Sequence, residues 1–219
     1  MSKIIFFIVT FLYSISVLAN VMITPLSMDI DIKKPVSSYT IENKSGEQQT
    51  YLVKTYYRTM DSMGREINKE TKELRIFPSK IILNPSQSKR IKVMYLGKKA
   101  IPDERSYRVI FEPITVGEQE GVKFNYKFVT SVYVTPEKAE HNLVAKMDAG
   151  KIYIQNLGNK HAVLNNWGLV FNQGSSGEVT YKDALPTINM LAKSHVVLPI
   201  KSGIAPQSVN SIDILEFEK

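Results

Sequence analysis

Residues able to run a reaction are scarce in this chain. There is no cysteine, which excludes thiol nucleophiles, disulfide staples and cysteine-ligated metal centres together. The three histidines are His141, His161 and His195, and none stands at the H-x-H, H-x-x-x-H or H-E-x-x-H spacing that brings imidazoles onto one metal ion. A hydroxyl relay can be written on paper from Ser194, His195 and Asp213, but no G-x-S-x-G elbow accompanies it. Gly174-Ser175-Ser176-Gly177 lacks the lysine and the strand-to-helix setting of a phosphate cradle and reads as a turn. Among the carboxylates, Glu66, Glu70 and Glu73 alternate with Lys69, Lys72 and Arg75, a solvated face and not the isolated pair that acid-base chemistry on a glycoside needs. The expectation is a protein that binds without turnover: no enzyme, no cofactor and no metal.

What the chain offers a partner is apolar surface. In residues 122–134 the side chains alternate, setting Val122, Phe124, Tyr126 and Phe128 on one face and Lys123, Asn125 and Lys127 on the other. Such a row is ordinarily the inward face of a sandwich strand. Left exposed, it calls for a partner or for self-association in the free protein.

The elements that would position this row are strands. Beyond residue 20 the pattern is short alternating runs bounded by glycine, proline, asparagine and serine, and no window holds a helical apolar stripe over three turns. Eight runs precede residue 135 and seven follow 141, separated by the polar, proline-bearing Thr135-Pro136-Glu137-Lys138-Ala139-Glu140-His141. The fold expected is all-β, two immunoglobulin-like β-sandwich domains in tandem, at 20–135 and 136–219. One run covers 23–32, and 162–171 reads as another.

At the N-terminus Lys3 precedes the apolar run from Ile4 to Leu12, and Val17-Leu18-Ala19 supplies small-residue spacing. Residues 1–19 therefore read as a signal peptide cleaved after Ala19. No later stretch approaches the ~20 apolar residues of a spanning helix, so stable membrane insertion is not expected. Export without cysteine suits a bacterial periplasm. The excess of 28 basic over 21 acidic residues, a net charge of +7, is spread along the chain. With export expected, it gives mild steering and no case for nucleic acid as a partner.

Four segments in order give the chain a resemblance. Met22-Ile23-Thr24-Pro25-Leu26-Ser27 looks like a first strand carrying a proline, and Tyr39-Thr40-Ile41-Glu42-Asn43 like a second strand ending in asparagine. From Phe77-Pro78 through Asn84-Pro85-Ser86-Gln87 to Lys89-Arg90-Ile91-Lys92-Val93 runs a proline-bounded strand, a Pro-x-Gln-x turn and a basic strand. Pro102-Asp103-Glu104-Arg105-Ser106-Tyr107-Arg108-Val109 is an acidic turn entering a strand. Together these resemble the periplasmic pilus-assembly chaperones of the chaperone–usher pathway, across nearly all of the first domain and less clearly in the second.

That resemblance implies a chaperone that binds and stabilises pilin subunits by donor-strand complementation and hands them to an outer-membrane usher. Val122, Phe124, Tyr126 and Phe128 would be the subunit-binding row, with backbone pairing supplying sequence-tolerant contact. The family's basic pair for the subunit's terminal carboxylate falls on Ser27 and Ser131 here, neither able to carry charge, which implies a divergent branch. Lys127, Lys123 and Arg108 are the candidate substitutes. The short, cysteine-free connection from Gly117 to Gly121 resembles the short-loop subgroup. Tyr51, Leu52 and Lys54 match usher-facing positions. The alternative reading is an exported structural or adhesive immunoglobulin-like fibre protein. The sequence names neither the pilin nor the usher.

Overall fold

A computed structural model describes residues 21–114, 126–182, 185–199 and 209–216, and among them every regular element is a strand. The signal segment 1–19 lies outside the described residues. The expected run 23–32 is two strands, β1 (Val21–Thr24) and β2 (Ser27–Asp31). They part at Pro25, which has no N–H for a ladder, and the chain changes sheets there. β1 joins β3 (Val36–Asn43) antiparallel, whereas β2 runs parallel to β10 (Phe128–Thr135).

The first sheet has the order β1, β3, β8 (Ser88–Tyr95), β6 (Leu74–Phe77). The second runs β2, β10, β9 (Arg105–Pro113), β4 (Gln49–Met60), β5 (Glu66–Glu70). β4 is long enough to serve two partners on one side, β5 at Tyr56 to Met60 and β7 (Lys80–Leu83) at Gln49 to Leu52. The alternation read from sequence decides what lies between the sheets. Ile91 and Val93 on β8, Val109 and Phe111 on β9, and Val132 and Val134 on β10 are buried in one core with Tyr39 and Ile41. Each such side chain contributes about 1.5–3 kcal/mol of transfer free energy. The Tyr39 ring meets Phe111 edge-on at 5.3 Å, and its hydroxyl lies 2.8 Å from Thr130 Oγ1.

The second half has its own cluster, built on Ile152, Ile154, Leu169, Phe171 and Val196. One ladder joins β11 (Leu143–Asp148), β12 (Lys151–Asn156) and β17 (His195–Pro199); β13 (Ala162–Leu164) pairs β16 (Ile188–Met190). The third carries β15 (Val179–Tyr181), β14 (Trp167–Phe171) and β18 (Ile212–Glu216). The run expected over 162–171 is interrupted by Asn165-Asn166, where Asn166 takes φ 67°, a left-handed conformation that asparagine tolerates and that ends a ladder.

The two halves touch through polar groups that burial makes consequential. Glu104, whose side chain is fully buried, lies 2.8 Å from His161 Nδ1 and accepts from the His161 N–H at 3.2 Å. The His161 ring stacks on Tyr133 at 3.7 Å. Asn159 Nδ2 donates to the carbonyls of Pro102 at 3.1 Å and Lys138 at 2.8 Å. One end of β4 thus faces the second half, where Met60 packs against the second cluster.

Candidate functional site: an open strand edge and a guanidinium pair

β10 is unequally paired along its length. On one side all of it from Phe128 to Val134 lies against β9. On the other, β2 joins only at Ser131, opposite Ser27, and the Ser131 N–H donates to the Leu26 carbonyl at 3.0 Å. Among the described residues no strand covers that side of Phe128, Val129 and Thr130, so this stretch presents a free ladder edge. The segment leading into it stands in solvent: Tyr126 is 47% exposed and Val129 50%.

The predicted row is only partly within view. Val122 and Phe124, with Lys123, lie outside the described residues. Tyr126 is outward, as expected. Phe128 corrects the expectation, because it packs against the protein's own core with its ring 6.0 Å from that of Tyr51. It shares the inward parity of Thr130 and Val132, so it anchors the strand and is not a free fourth knob.

Beside the place where β2 joins lies a cluster of charge. Ser27, Ser131 and Arg108 occupy one row across β2, β10 and β9, so the two serines singled out by sequence are cross-strand neighbours and Arg108 comes to them. Arg108 Nη1 donates to Ser131 Oγ. Its Nε donates to Glu66 Oε1 at 2.8 Å and Oε2 at 3.0 Å, and Nη2 also bonds Oε2, the fork that a guanidinium makes to a carboxylate. A second guanidinium stands behind it. Arg58, with a side chain only 5% exposed, donates from Nη1 to Tyr133 Oη at 3.2 Å. Its Nε is 2.8 Å from Glu66 Oε2 but unaligned for a hydrogen bond. Burial alone would raise the Glu66 pKa; the bonds from Arg108 and Asn68 and the Arg58 charge outweigh it and hold the carboxyl below its usual value.

Sequence reasoning found Arg108 and missed Arg58 and Glu66. Outward parity on β4, with Leu52, Lys54 and Tyr56, was the available signal for Arg58. Glu66 gave none, because β5 has no apolar alternation and all five of its residues are exposed. Lys127 is a correction. It faces Glu112, 3.4 Å away, and stands four residues from Ser131, about 13 Å along a strand, too far to join Arg108.

The usher-facing expectation is also corrected in part. Tyr51 is 2% exposed and belongs to the first core, and burial pushes its phenol up to about 12, so it presents nothing to a partner. Leu52 and Lys54 have the opposite parity and face outward. Lys54 is bonded to Glu112 at 2.6 Å, which raises the ammonium pKa and lowers that of the carboxyl.

The paper relay dissolves at its first member: the Ser194 hydroxyl donates to the Leu191 carbonyl at 2.8 Å. Among the described residues no three His, Asp or Glu side chains are grouped to hold a metal ion, and no helix is long and apolar enough to cross a membrane.

No family model and no curated protein matches the chain. Solved structures do. A chain from a chaperone–tip adhesin complex of CFA/I fimbriae biogenesis is 20% identical, with a TM-score of 0.68 over 90% of this chain and 95% of that one. The class 5 fimbriae chaperone CfaA is 19% identical, with a TM-score of 0.66 over 91% of this chain and all of the other. A chain from the SafA pilin and SafB chaperone complex of Salmonella enterica is 10% identical, with a TM-score of 0.61 over 84% and 86%. At these identities the likeness is one of fold, and the fold is shared with the chaperones of fimbrial chaperone–usher systems.

Proposed function

We propose that this chain is a periplasmic chaperone of fimbrial subunits, with residues 1–19 as its export signal and a domain boundary at 135/136. It binds a subunit that lacks a β-strand, lends its own by donor-strand complementation and delivers the complex to an outer-membrane usher. The observation that carries this reading is the edge at residues 128–130, left uncovered among the described residues next to a solvent-exposed Tyr126. Backbone pairing at that edge accepts any extended guest, while each bulky residue seated in a groove contributes about 1.5–3 kcal/mol. The likeness of fold to chains solved in complexes named for a chaperone with a tip adhesin or a pilin supports the choice of guest.

The guest's terminal carboxylate is assigned to Arg108, with the Ser27 and Ser131 hydroxyls beside it, in place of the basic pair that the resemblance leads one to expect. Outward-facing Leu52 and Lys54 remain the candidates for usher contact. Turnover, cofactor and metal have no part in this mechanism.

Coexpression with a fimbrial subunit lacking a strand tests the reading. Phe124→Asp and Tyr126→Asp are expected to leave the protein folded, by circular dichroism and thermal melting, while the subunit is no longer recovered with it. Subunit recovered at wild-type yield from both variants defeats the proposal.

A further inference from the structure

The side-on fork of Arg108 is already occupied. Glu66 takes Nε and Nη2, and Ser131 takes Nη1. A carboxylate arriving from outside can use the same fork only by removing Glu66 from it. The neighbouring group gives Glu66 somewhere to go. Arg58 is almost wholly buried, and its Nε has no hydrogen bond although Glu66 Oε2 is 2.8 Å away, so a small rotation of the Glu66 carboxylate would align that bond. Unpaired donors at this depth are costly, which favours the rearranged state once the fork has another acceptor.

Charge counting agrees. Two guanidiniums share one carboxylate, leaving one positive charge in a group whose side chains are only 5%, 19% and 27% exposed. One further carboxylate brings the group to neutrality. The element carrying Glu66 is suited to adjust, since β5 is an exposed strand that pairs, among the described residues, with β4 alone.

We propose that Glu66 is a built-in surrogate for the guest's terminal carboxylate: it occupies the Arg108 fork in the free chaperone and shifts to Arg58 when the guest arrives. This rests on the chaperone reading above and adds a specificity device to it. Self-occupancy lowers the affinity for stray anions and makes release reversible, because the departing carboxylate is replaced at once by Glu66.

The test uses the full mature chain and one soluble ten-residue peptide of alternating valine and threonine, made with a free α-carboxylate and as its amide, titrated calorimetrically. Wild type should prefer the carboxylate form, and Arg108→Gln should abolish that preference. Glu66→Gln should tighten binding of the carboxylate peptide by about tenfold, some 1.4 kcal/mol, and leave the amide unchanged. Asn68→Ala removes the Nδ2 donor 2.8 Å from Glu66 Oε1 at an exposed site, and should give a smaller rise of the same kind without threatening the fold. Arg58→Met should weaken capture of the carboxylate form, since Glu66 then has no second partner. If Arg108→Gln erases the preference while Glu66→Gln and Asn68→Ala change nothing, or raise both peptides equally, the surrogate role is overturned and the anchor survives. If wild type binds amide and carboxylate equally, the anchor at Arg108 is itself wrong. If neither peptide binds, the donor-edge reading falls.

Discussion

The two ends of β10 make a natural experiment within one strand. Residues 131–134 are paired on both sides, to β2 and to β9, and Val132 and Val134 are sealed in the core. Among the described residues, 128–130 are paired on one side only, next to exposed Tyr126 and Val129. The same backbone therefore keeps the fold at one end and leaves a ladder open at the other, and the boundary falls at Ser131, where Arg108 and its carboxylate stand. An open edge is an aggregation hazard when flat and unguarded. Here it ends at Ser131 against the charged cluster of Arg108 and Glu66.

Substituting each end should separate the two tasks. Val132→Asp buries an unpaired carboxylate in the first core and is expected to cost more than about 4 kcal/mol, enough to abolish cooperative folding. A charge at Tyr126 should hardly move the urea midpoint. A Val132→Asp protein that melts like wild type would show that the two ends do not differ as their pairing says.

The cluster at the boundary carries a pH signature. The Glu66 carboxyl titrates below its ordinary value of 4.5 when folded, so the unfolded chain takes up this proton first. Its contribution to stability is thus complete above 4.5 and is lost as pH falls through the lower folded value. The stability gap between wild type and Glu66→Gln, from urea unfolding, should be constant near neutrality and shrink below that point. A gap that widens on acidification contradicts the assignment of the two guanidiniums as the cause.

A smaller effect belongs to the junction itself. Tyr39 Oη and Thr130 Oγ1 are 2.8 Å apart in the core, and Thr130 Oγ1 is 3.1 Å from the Val109 carbonyl, to which it donates. Tyr39→Phe removes one bond of that chain and leaves Thr130 its other, so the expected loss is about 1 kcal/mol with guest binding intact. Destabilisation above about 3 kcal/mol would mean that the hydroxyl does more than hold Thr130.

Much of this was legible in the sequence wherever alternation speaks. The strands around Tyr39, Ile91, Phe111 and Val132 show in their period; the resemblance singled out Ser27 and Ser131, and the register, which the sequence did not give, sets them opposite one another. Alternation fails where a strand has no apolar face, as in β5, and so Glu66 passed for part of a solvated surface. It also cannot tell inward from outward when both faces carry large groups. Phe128 and Tyr126 share one parity in the sequence, and only the contact of Phe128 with Tyr51 separates the residue that packs at home from the one that stands out. Arg58 was hidden for a different reason: its partner Tyr133 stands on β10, 75 residues away, and that phenol is also held by Asn189 of the second half, whose Nδ2 reaches it at 2.5 Å, contacts that no local pattern reports.

Lys127 gives the least effect and the sharpest control. As a substitute carboxylate anchor it should matter to guest capture far more than Lys33; as the partner of Glu112 it should not. Its ammonium is 3.4 Å from Glu112 Oε1, and Glu112 also holds Lys54 at 2.6 Å, so losing Lys127 leaves no carboxylate unpaired. Lys33 is likewise exposed and paired, 3.0 Å from Glu137. Surface pairs of this kind are nearly neutral in water, and Lys127→Ala and Lys33→Ala should both change peptide affinity by less than about twofold. A selective loss with Lys127→Ala, seen with the carboxylate peptide and not with the amide, would move the anchor from Arg108 to the open end of the strand and reverse the direction in which a guest is read.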